Sequence, residues 1–596
     1  MEQVDPAIRQ SFDAALGSGD MFALFERTRA AIEKYPDDPD VRYLQALAMA
    51  RLGDPDAALR LYRRNRVDRI ETEDAIALKG RIFKDLAAQA EGDWQVELFR
   101  QASQAYRAAF NLSDGYYSGI NAATTALLAG DERDAKALAA TISERRDIAN
   151  PTSYFAAATG AEAMLVQGEI AKATALFAQA RKRSDASPGM IASTAHQLIL
   201  IADRLGAGGE EMQALLAATR PSPVIHYCGH MFRAGATFEA QVARDVRHVL
   251  EESGAMIAYG PLACGADIVI AEAIIELGGE LHVIVPFAED DFLRTSVRVG
   301  GEGWEARYAA CREKAASITF ATEMQSVEDD ELFAYCSKLV MGLAQLRADI
   351  MHTEAFQLAV WDGKPATGVA GTAADCIEWA RQGGTTRIVE IPKERPPLDA
   401  VDIAATHAKP RWALHSILFA DFAGFSRLDE DHLSNFLETV MGRIARILDR
   451  HGDKVLARNS WGDAIYAVIT TPNQAAEIAL EIQAELNPRL LQEIGLPKED
   501  GMRISLHHGP IFEHFDAVQG ARTFYGTEVT VAARIEPRVP VGAIYTTQPF
   551  AALIESGRND YHFEYVGKMD LAKNYGVRIL YRLGTRREED GPGIVR

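Results

Sequence analysis

The feature that most constrains this chain is where its strand-forming runs begin. Residues 1–215 hold no convincing strand run. They are rich in Ala, Leu, Arg and Glu, with apolar residues at i, i+3 and i+4, the pattern of amphipathic helices. From about residue 221 short β-rich runs (VIHYCG, AMIAYG, LHVIVPF, SITFAT, PATGVAG, RIVEI) alternate with helical stretches. Such alternation implies a mostly parallel sheet with helices on both faces. A stretch dense in proline and charge, residues 392–410, reads as a linker, and a third pattern begins after it. A chain of 596 residues is too long for one core, so several domains are expected.

Within the helical region one phrase recurs. LAMARLGDPDAALRLY surrounds Gly53, TTALLAGDERDAKAL surrounds Gly130, and EAMLVQGEIAKATAL surrounds Gly168. Each is a helix of small residues, a Gly-acid turn, and an Ala-x-x-Leu helix. The second and third glycines are 38 residues apart and the first two 77, about twice that interval, which suits paired-helix repeats of the tetratricopeptide size. The stretch DGYYSGINAATTALLAGD, 114–131, also resembles the helical central regulatory region of the apoptosis-signal-regulating kinases. Repeats of this kind dock a protein partner, although a plain helical bundle would read the same way.

A net charge of −21 repels phosphate backbones and anionic lipid, so neither nucleic acid nor membrane is an expected partner. The start, MEQVDPAIRQSFDAAL, lacks a basic segment followed by an apolar one, and no apolar run is long enough to span a bilayer; a cytoplasmic protein is expected. Cys228, Cys264, Cys311, Cys336 and Cys376 are scattered, odd in number and without CxxC spacing. They read as small buried residues, not as disulfides or zinc ligands.

In the middle region two stretches place glycine between a strand and a helix. In GPLACGADIVIAEAIIELGG the backbone N–H groups around Gly265 could hold an anion, and in GKPATGVAGTAADCIEW the turn residues are Gly371 and Thr372. Together they resemble the SLOG group of Rossmann-like nucleotide-sensing folds. The PGGxGTxxE phrase of its hydrolase members is reduced to GTxxD, ending at Asp375, so the resemblance implies a sensor of a nucleotide-like ligand, not a second enzyme. Glycines that merely allow tight strand–helix packing are the alternative.

The chemistry gathers at the C-terminal end. HSILFADFAGFSRL, 415–428, is a buried strand that delivers Asp421 just before a Gly-Phe-Ser turn, and KVLARNSWGDAIYAVI, 454–469, is a hairpin with Gly462 at its turn and Asp463 opening the second strand. If the hairpin pairs with the first strand in a βαββαβ sheet, the two carboxylates meet and can bind a pair of Mg2+ or Mn2+ ions. With RISLHHG and FYGTEVTVAARIE further on, the ordered phrases resemble the class III adenylate and guanylate cyclase catalytic domain over about 413–585.

That resemblance implies specific roles. Asp421 and Asp463 would bind two metal ions per site, helped by the carbonyl of Phe422, with Gly424, Phe425 and Ser426 forming the substrate loop. Arg534 would stabilise charge on the α-phosphate, and Lys573, in LAKNYG, would hold the triphosphate. Asn459 stands where the family usually has Lys or Glu reading the base and could serve adenine or another base, Thr523 takes the second base-reading position, where a hydroxyl in place of Asp leans towards ATP, and Thr530 replaces the usual ribose-orienting Asn. His507 and His508 are expected to be structural. The family's site is shared across a homodimer, one subunit giving Asp421 and Asp463 and the other Asn459, Thr523, Thr530 and Arg534. The expected architecture is thus an all-α repeat domain at 1–215, a SLOG-like Rossmann domain at 221–395, a linker at 396–412, an α+β ferredoxin-like cyclase domain at 413–585 and a tail at 586–596. The implied activity is conversion of a nucleoside triphosphate to a cyclic nucleotide and pyrophosphate in signalling, under control of the N-terminal domains. A cyclase fold reduced to a nucleotide-binding sensor or scaffold is the alternative.

Overall fold

The computed structural model describes residues 4–18, 21–52, 55–186, 188–206, 209–322, 330–351, 353–399, 412–497, 500–518, 520–557, 561–571 and 577–585. They form two compact units, one built chiefly from Met1–Pro221 and the other chiefly from Ser222–Asp349 and Glu354–Tyr565.

The first unit is helical throughout, and its last helix, Glu210–Thr219, runs past the expected boundary at 215. Gly130 joins helix Tyr116–Leu128 to helix Glu132–Ser143, and Gly168 joins Tyr154–Val166 to Ile170–Ala180. The repeat seen in the sequence is a repeat of backbone geometry. Both glycines are left-handed, with φ of +91° and +86°, and the next N–H after each reaches back to close the helix end, Asp131 to the Ala126 carbonyl and Glu169 to that of Met164, both at 2.9 Å. Gly53 lies outside the described residues. Alanines such as Ala122, Ala126, Ala161 and Ala163 are fully buried between helices, because only small side chains allow the close axial approach.

In the second unit six parallel strands form the middle sheet: β1 (Val224–Gly229), β2 (Ile257–Gly260), β3 (Glu280–Val285), β4 (Ser317–Phe320), β5 (Ala355–Trp361) and β6 (Thr386–Glu390), in the order β4-β3-β2-β1-β5-β6. One sequence expectation is corrected here. PATGVAG is not a strand; the fifth strand is AFQLAVW, and residues 365–371 form the loop from it into helix Thr372–Arg381. Pro365 and two glycines within seven residues cannot sustain a central ladder, whereas Phe356–Val360 are all buried. The five cysteines are free buried thiols.

The remaining strands are β7 (Trp412–Ala423), β8 (Val455–Trp461), β9 (Ala464–Ile469), β10 (Gly501–Asp516), β11 (Ala521–Tyr525), β12 (Ile544–Thr547), β13 (Tyr561–Asp570) and β14 (Val577–Thr585). Their order is β13-β14-β12-β10-β7-β9-β8, with β11 pairing to β10. The segment β10-β7-β9-β8, antiparallel throughout, is the expected ferredoxin-like core. Strand β7 is central, with Ile417, Leu418, Ala420 and Phe422 at most 1% exposed.

Candidate functional site

Pairing register brings the two aspartates together. Ala420 of β7 lies opposite Ile465 of β9, so the Gly462–Asp463 turn preceding β9 falls beside the end of β7, where Asp421 stands. Asp463 is in the turn itself, one residue short of the strand. Gly462 adopts φ +67°, which a hairpin turn requires here, and a Cβ on it would sit 3.5 Å from the Phe425 ring. The turn therefore lies over the loop 424–426. That loop is held by Phe425 and Phe422, whose rings pack on Phe436 at 5.3 and 4.9 Å. Gly424, at φ +111°, leaves no room for a side chain against the Asp500 carboxylate. Ser426 is exposed at the loop surface.

The electrostatics favour a cation. Burial, and then the Asp421 carboxylate beside it, push the Asp463 carboxyl up to about 6. Arg503, directly opposite Asp421 across the β7–β10 ladder, donates to it, and its Nε lies 3.2 Å from Glu536. Burial pushes Glu536 up to about 7, with Asp421 and Asp463 adding to the effect and Arg503 opposing it. Three carboxyls thus surround one guanidinium. Two adjacent carboxylates beside the Phe422 backbone fit a hard divalent cation. Among the described residues no group of three or more His, Cys, Asp or Glu encloses a metal, so water and phosphate oxygens would complete the coordination, as suits Mg2+ or Mn2+.

A pH dependence results. The folded-state pKa of Asp463, about 6, lies above its ordinary value of 3.8, so the folded protein holds a proton there that competes with a cation. Mn2+ affinity, measured by calorimetry on the full chain, should fall as the pH drops through about 6.

The other sequence candidates are divided between strands of this sheet and the helix packed on it. Asn459 is on β8 opposite Tyr466, three residues before the Gly462 turn. Thr523 is on β11, anchored where the Tyr466 hydroxyl donates to the Phe524 carbonyl at 3.2 Å. Thr530 and Arg534 lie on helix Thr527–Ile535, both half-buried. Lys573 lies outside the described residues. His507 and His508 are buried and hydrogen-bonded. Sequence reasoning does not single out Arg503 or Glu536, because an arginine in a strand and a glutamate after a helix carry no signal until register sets them beside Asp421.

The middle sheet offers a second candidate position. Its strand order reverses between β1 and β5, where ligands of open α/β sheets bind beyond the strand ends. Gly265 and Gly371 are the N-caps of helices Ala266–Glu276 and Thr372–Arg381, but they differ. A Cβ on Gly265 would lie 2.6 Å from the Phe232 backbone nitrogen, whereas Gly371 faces open space. Gly265 thus serves packing as well, while Gly371 borders open space and Thr372 beside it is buried. Asp267, 4% exposed, keeps one carboxylate oxygen without a hydrogen-bond partner and is pushed well up by burial. Burial pushes Asp375 up to about 7.

Comparison with known proteins finds family matches for two parts of the chain. Residues 409–583 match the adenylate and guanylate cyclase catalytic domain family, and residues 19–127 match the tetratricopeptide repeats-sensor family. No curated protein matches the chain. Among solved structures, the adenylyl cyclase CyaB from P. aeruginosa is 16% identical, covering 31% of this chain and 100% of its own, with a TM-score of 0.27. The guanylate cyclase domain of RhGC from Catenaria anguillulae, in complex with GTP, is 19% identical over 29% of this chain and 97% of its own, TM-score 0.25. An adenylate/guanylate cyclase/hydrolase from Silicibacter pomeroyi is 25% identical over 30% and 99%, TM-score 0.25. Among the described residues no helix is long and apolar enough to cross a membrane. By its family matches the chain carries an adenylate and guanylate cyclase catalytic domain in its C-terminal third and a tetratricopeptide repeats-sensor region near its N-terminus.

Proposed function

We propose that the protein is a nucleotidyl cyclase of the signalling type, converting a nucleoside triphosphate, with ATP favoured, to the 3′,5′-cyclic nucleotide and pyrophosphate. The observation that carries this reading is the pairing of Asp421 with Asp463 at adjacent strand ends, in a site short of positive charge. Asp421, Asp463 and the Phe422 carbonyl would hold two Mg2+ or Mn2+ ions, which supply Lewis-acid stabilisation of the triphosphate and of the attacking oxygen. The loop Gly424–Ser426 offers backbone groups to the phosphates. Arg534, always charged, serves the developing negative charge on the α-phosphate. Asn459 and Thr523 face the base, and Thr530 the ribose. Lys573 would bind the triphosphate.

The active form is a homodimer in which one subunit gives the carboxylates and the other Asn459, Thr523, Thr530 and Arg534, so relative movement of the two domains gates turnover. The helical repeats dock a protein partner, the switch point at Gly265, Gly371 and Thr372 takes a nucleotide-like ligand, and the protein works in the cytoplasm. The test is incubation of the purified full chain with Mn2+ or Mg2+ and each of the four nucleoside triphosphates, read by mass spectrometry. Cyclic product is expected, most from ATP. Its absence with every nucleotide overturns the reading in favour of a binding module built on the cyclase fold, in which case Asp421→Ala would leave cellular function intact.

A further inference from the structure

Helix Asp330–Ile350 belongs to two domains at once. Leu332 joins the core of the middle sheet together with Val283, Val285 and Phe287, and Trp412, the first residue of β7, packs on that same core. A turn further along, Tyr335 is 3% exposed. Its hydroxyl donates to the His508 carbonyl of β10 at 3.3 Å, and the two rings pack 6.1 Å apart. Further on, Gly342 lies against the backbone of helix Gln548–Glu555, where a Cβ would overlap the Ala552 carbonyl oxygen. The helix is accordingly buried on nearly every side, as expected for one packed between two sheets.

The strand that Tyr335 touches is the one that carries helix Thr527–Ile535. His507, 3% exposed and next to Tyr335's partner, bonds Glu528 through Nε2 and Thr547 through Nδ1, both at 2.7 Å. Glu528 lies in the first turn of the helix. Gly509 makes room for it, since a Cβ there would approach the Glu528 side chain to 2.9 Å. Two residues before His507, the Ser505 hydroxyl donates to the Ala532 carbonyl at 2.8 Å. On the other side of the strand, His508 Nδ1 bonds Ser416 at 2.9 Å, and burial holds this imidazole at about 3, hence neutral. Successive residues of β10 therefore face opposite ways: His508 and its carbonyl towards the middle domain's helix and β7, Ser505 and His507 towards the helix that bears Thr530 and Arg534.

We propose that the middle domain positions the Arg534 helix through Tyr335, with β10 and the His507–Glu528 pair as the relay. Tyr335 and His507 are then positioning residues, and the middle domain is a structural part of the cyclase site. A change at the switch point has a short route to that site, because Ser337, two residues from Tyr335, lies beside Asp375 and opposes the upward push that burial gives its carboxyl. The significance of Arg534 rests on the cyclase reading; the mechanical link does not.

Hydrogen exchange on the full chain separates the two. Tyr335→Phe removes one hydroxyl and keeps the ring, so the fold survives. The amides of 530–535 should then exchange about fivefold faster, the scale of one lost hydrogen bond, while those of the β8–β9 hairpin stay unchanged. In combination with Glu528→Ala the effect on 530–535 should fall short of the product of the two single effects, since both act on one relay. No change at 530–535, a uniform rise over the whole domain, or full independence of the two substitutions overturns the proposal. Failure to form cyclic product from any nucleotide would overturn the cyclase reading and leave the exchange result standing. Where product forms, Tyr335→Phe should lower kcat more than it raises KM, because Arg534 acts on the developing charge.

Discussion

Asp463→Asn should abolish turnover and yet make the metal-free protein harder to unfold. The first half comes from the role proposed for the carboxylate. An ion bound there contributes several kcal/mol of charge stabilisation, and at about 1.4 kcal/mol per tenfold the loss is on the order of a thousandfold. The second half comes from the charges around it. In the absence of a cation, burial of the turn and then the Asp421 carboxylate beside it push the Asp463 carboxyl up to about 6. A group whose folded pKa is raised above its unfolded value of 3.8 destabilises the fold when ionised; the cost is full above about 6, declines as the pH falls below that, and is gone only below 3.8. The neutral amide removes that cost at every pH. Thermal unfolding in EDTA at about pH 7.5, above the raised pKa, should give a higher Tm for Asp463→Asn than for the parent, with the difference shrinking towards about pH 5. A lower Tm at the higher pH would show that the turn carboxylate has a structural partner that outweighs the repulsion. Asp421→Asn is a different experiment, since it also removes the negative charge that Arg503 pairs with.

The other large effect is expected far from the carboxylates. Gly342 sits where helix Asp330–Ile350 crosses the backbone of helix Gln548–Glu555, with no room for even one methyl group. A flexible side chain could move aside, but a main-chain carbonyl in a helix cannot. Gly342→Ala should therefore force the helices apart, at about 3 kcal/mol or more, the upper range of overpacking costs. Chemical denaturation followed by tryptophan fluorescence should show a lower midpoint, or two separated transitions as the middle and cyclase domains lose their shared helix. An unchanged single transition would mean that the interface yields more easily than its close approach implies. As an exposed helical glycine Gly342 would gain stability on becoming alanine, so the sign of the effect discriminates cleanly.

Much of this molecule is legible without coordinates. The periodicity of residues 1–215, the alternation after 221 and the ordered phrases around Asp421 and Asp463 are local patterns, and local patterns are what helix and strand propensity, turn glycines and amphipathicity write into a chain. The correction in the middle sheet has a local cause too. PATGVAG has the residue types of a loop, while AFQLAVW is a mainly apolar run that ends at Asp362–Gly363, where Gly363 has φ +75°.

What no local pattern could supply was pairing. Arg503 and Glu536 lie 82 and 115 residues beyond Asp421, and they join its site only because β10 runs antiparallel to β7 in one particular register. The sharing of helix Asp330–Ile350 between two domains likewise depends on contacts distant in sequence, Tyr335 with His508 and Gly342 with Ala552. The sequence by itself determined which elements form and which residue types carry chemistry, because those depend on the preferences of neighbouring residues. Tertiary structure alone decided which charges face one another and which domain supports which, because electrostatic and packing energies depend on distance in space, and a one-residue slip in β10 would have turned Arg503 away from Asp421 altogether.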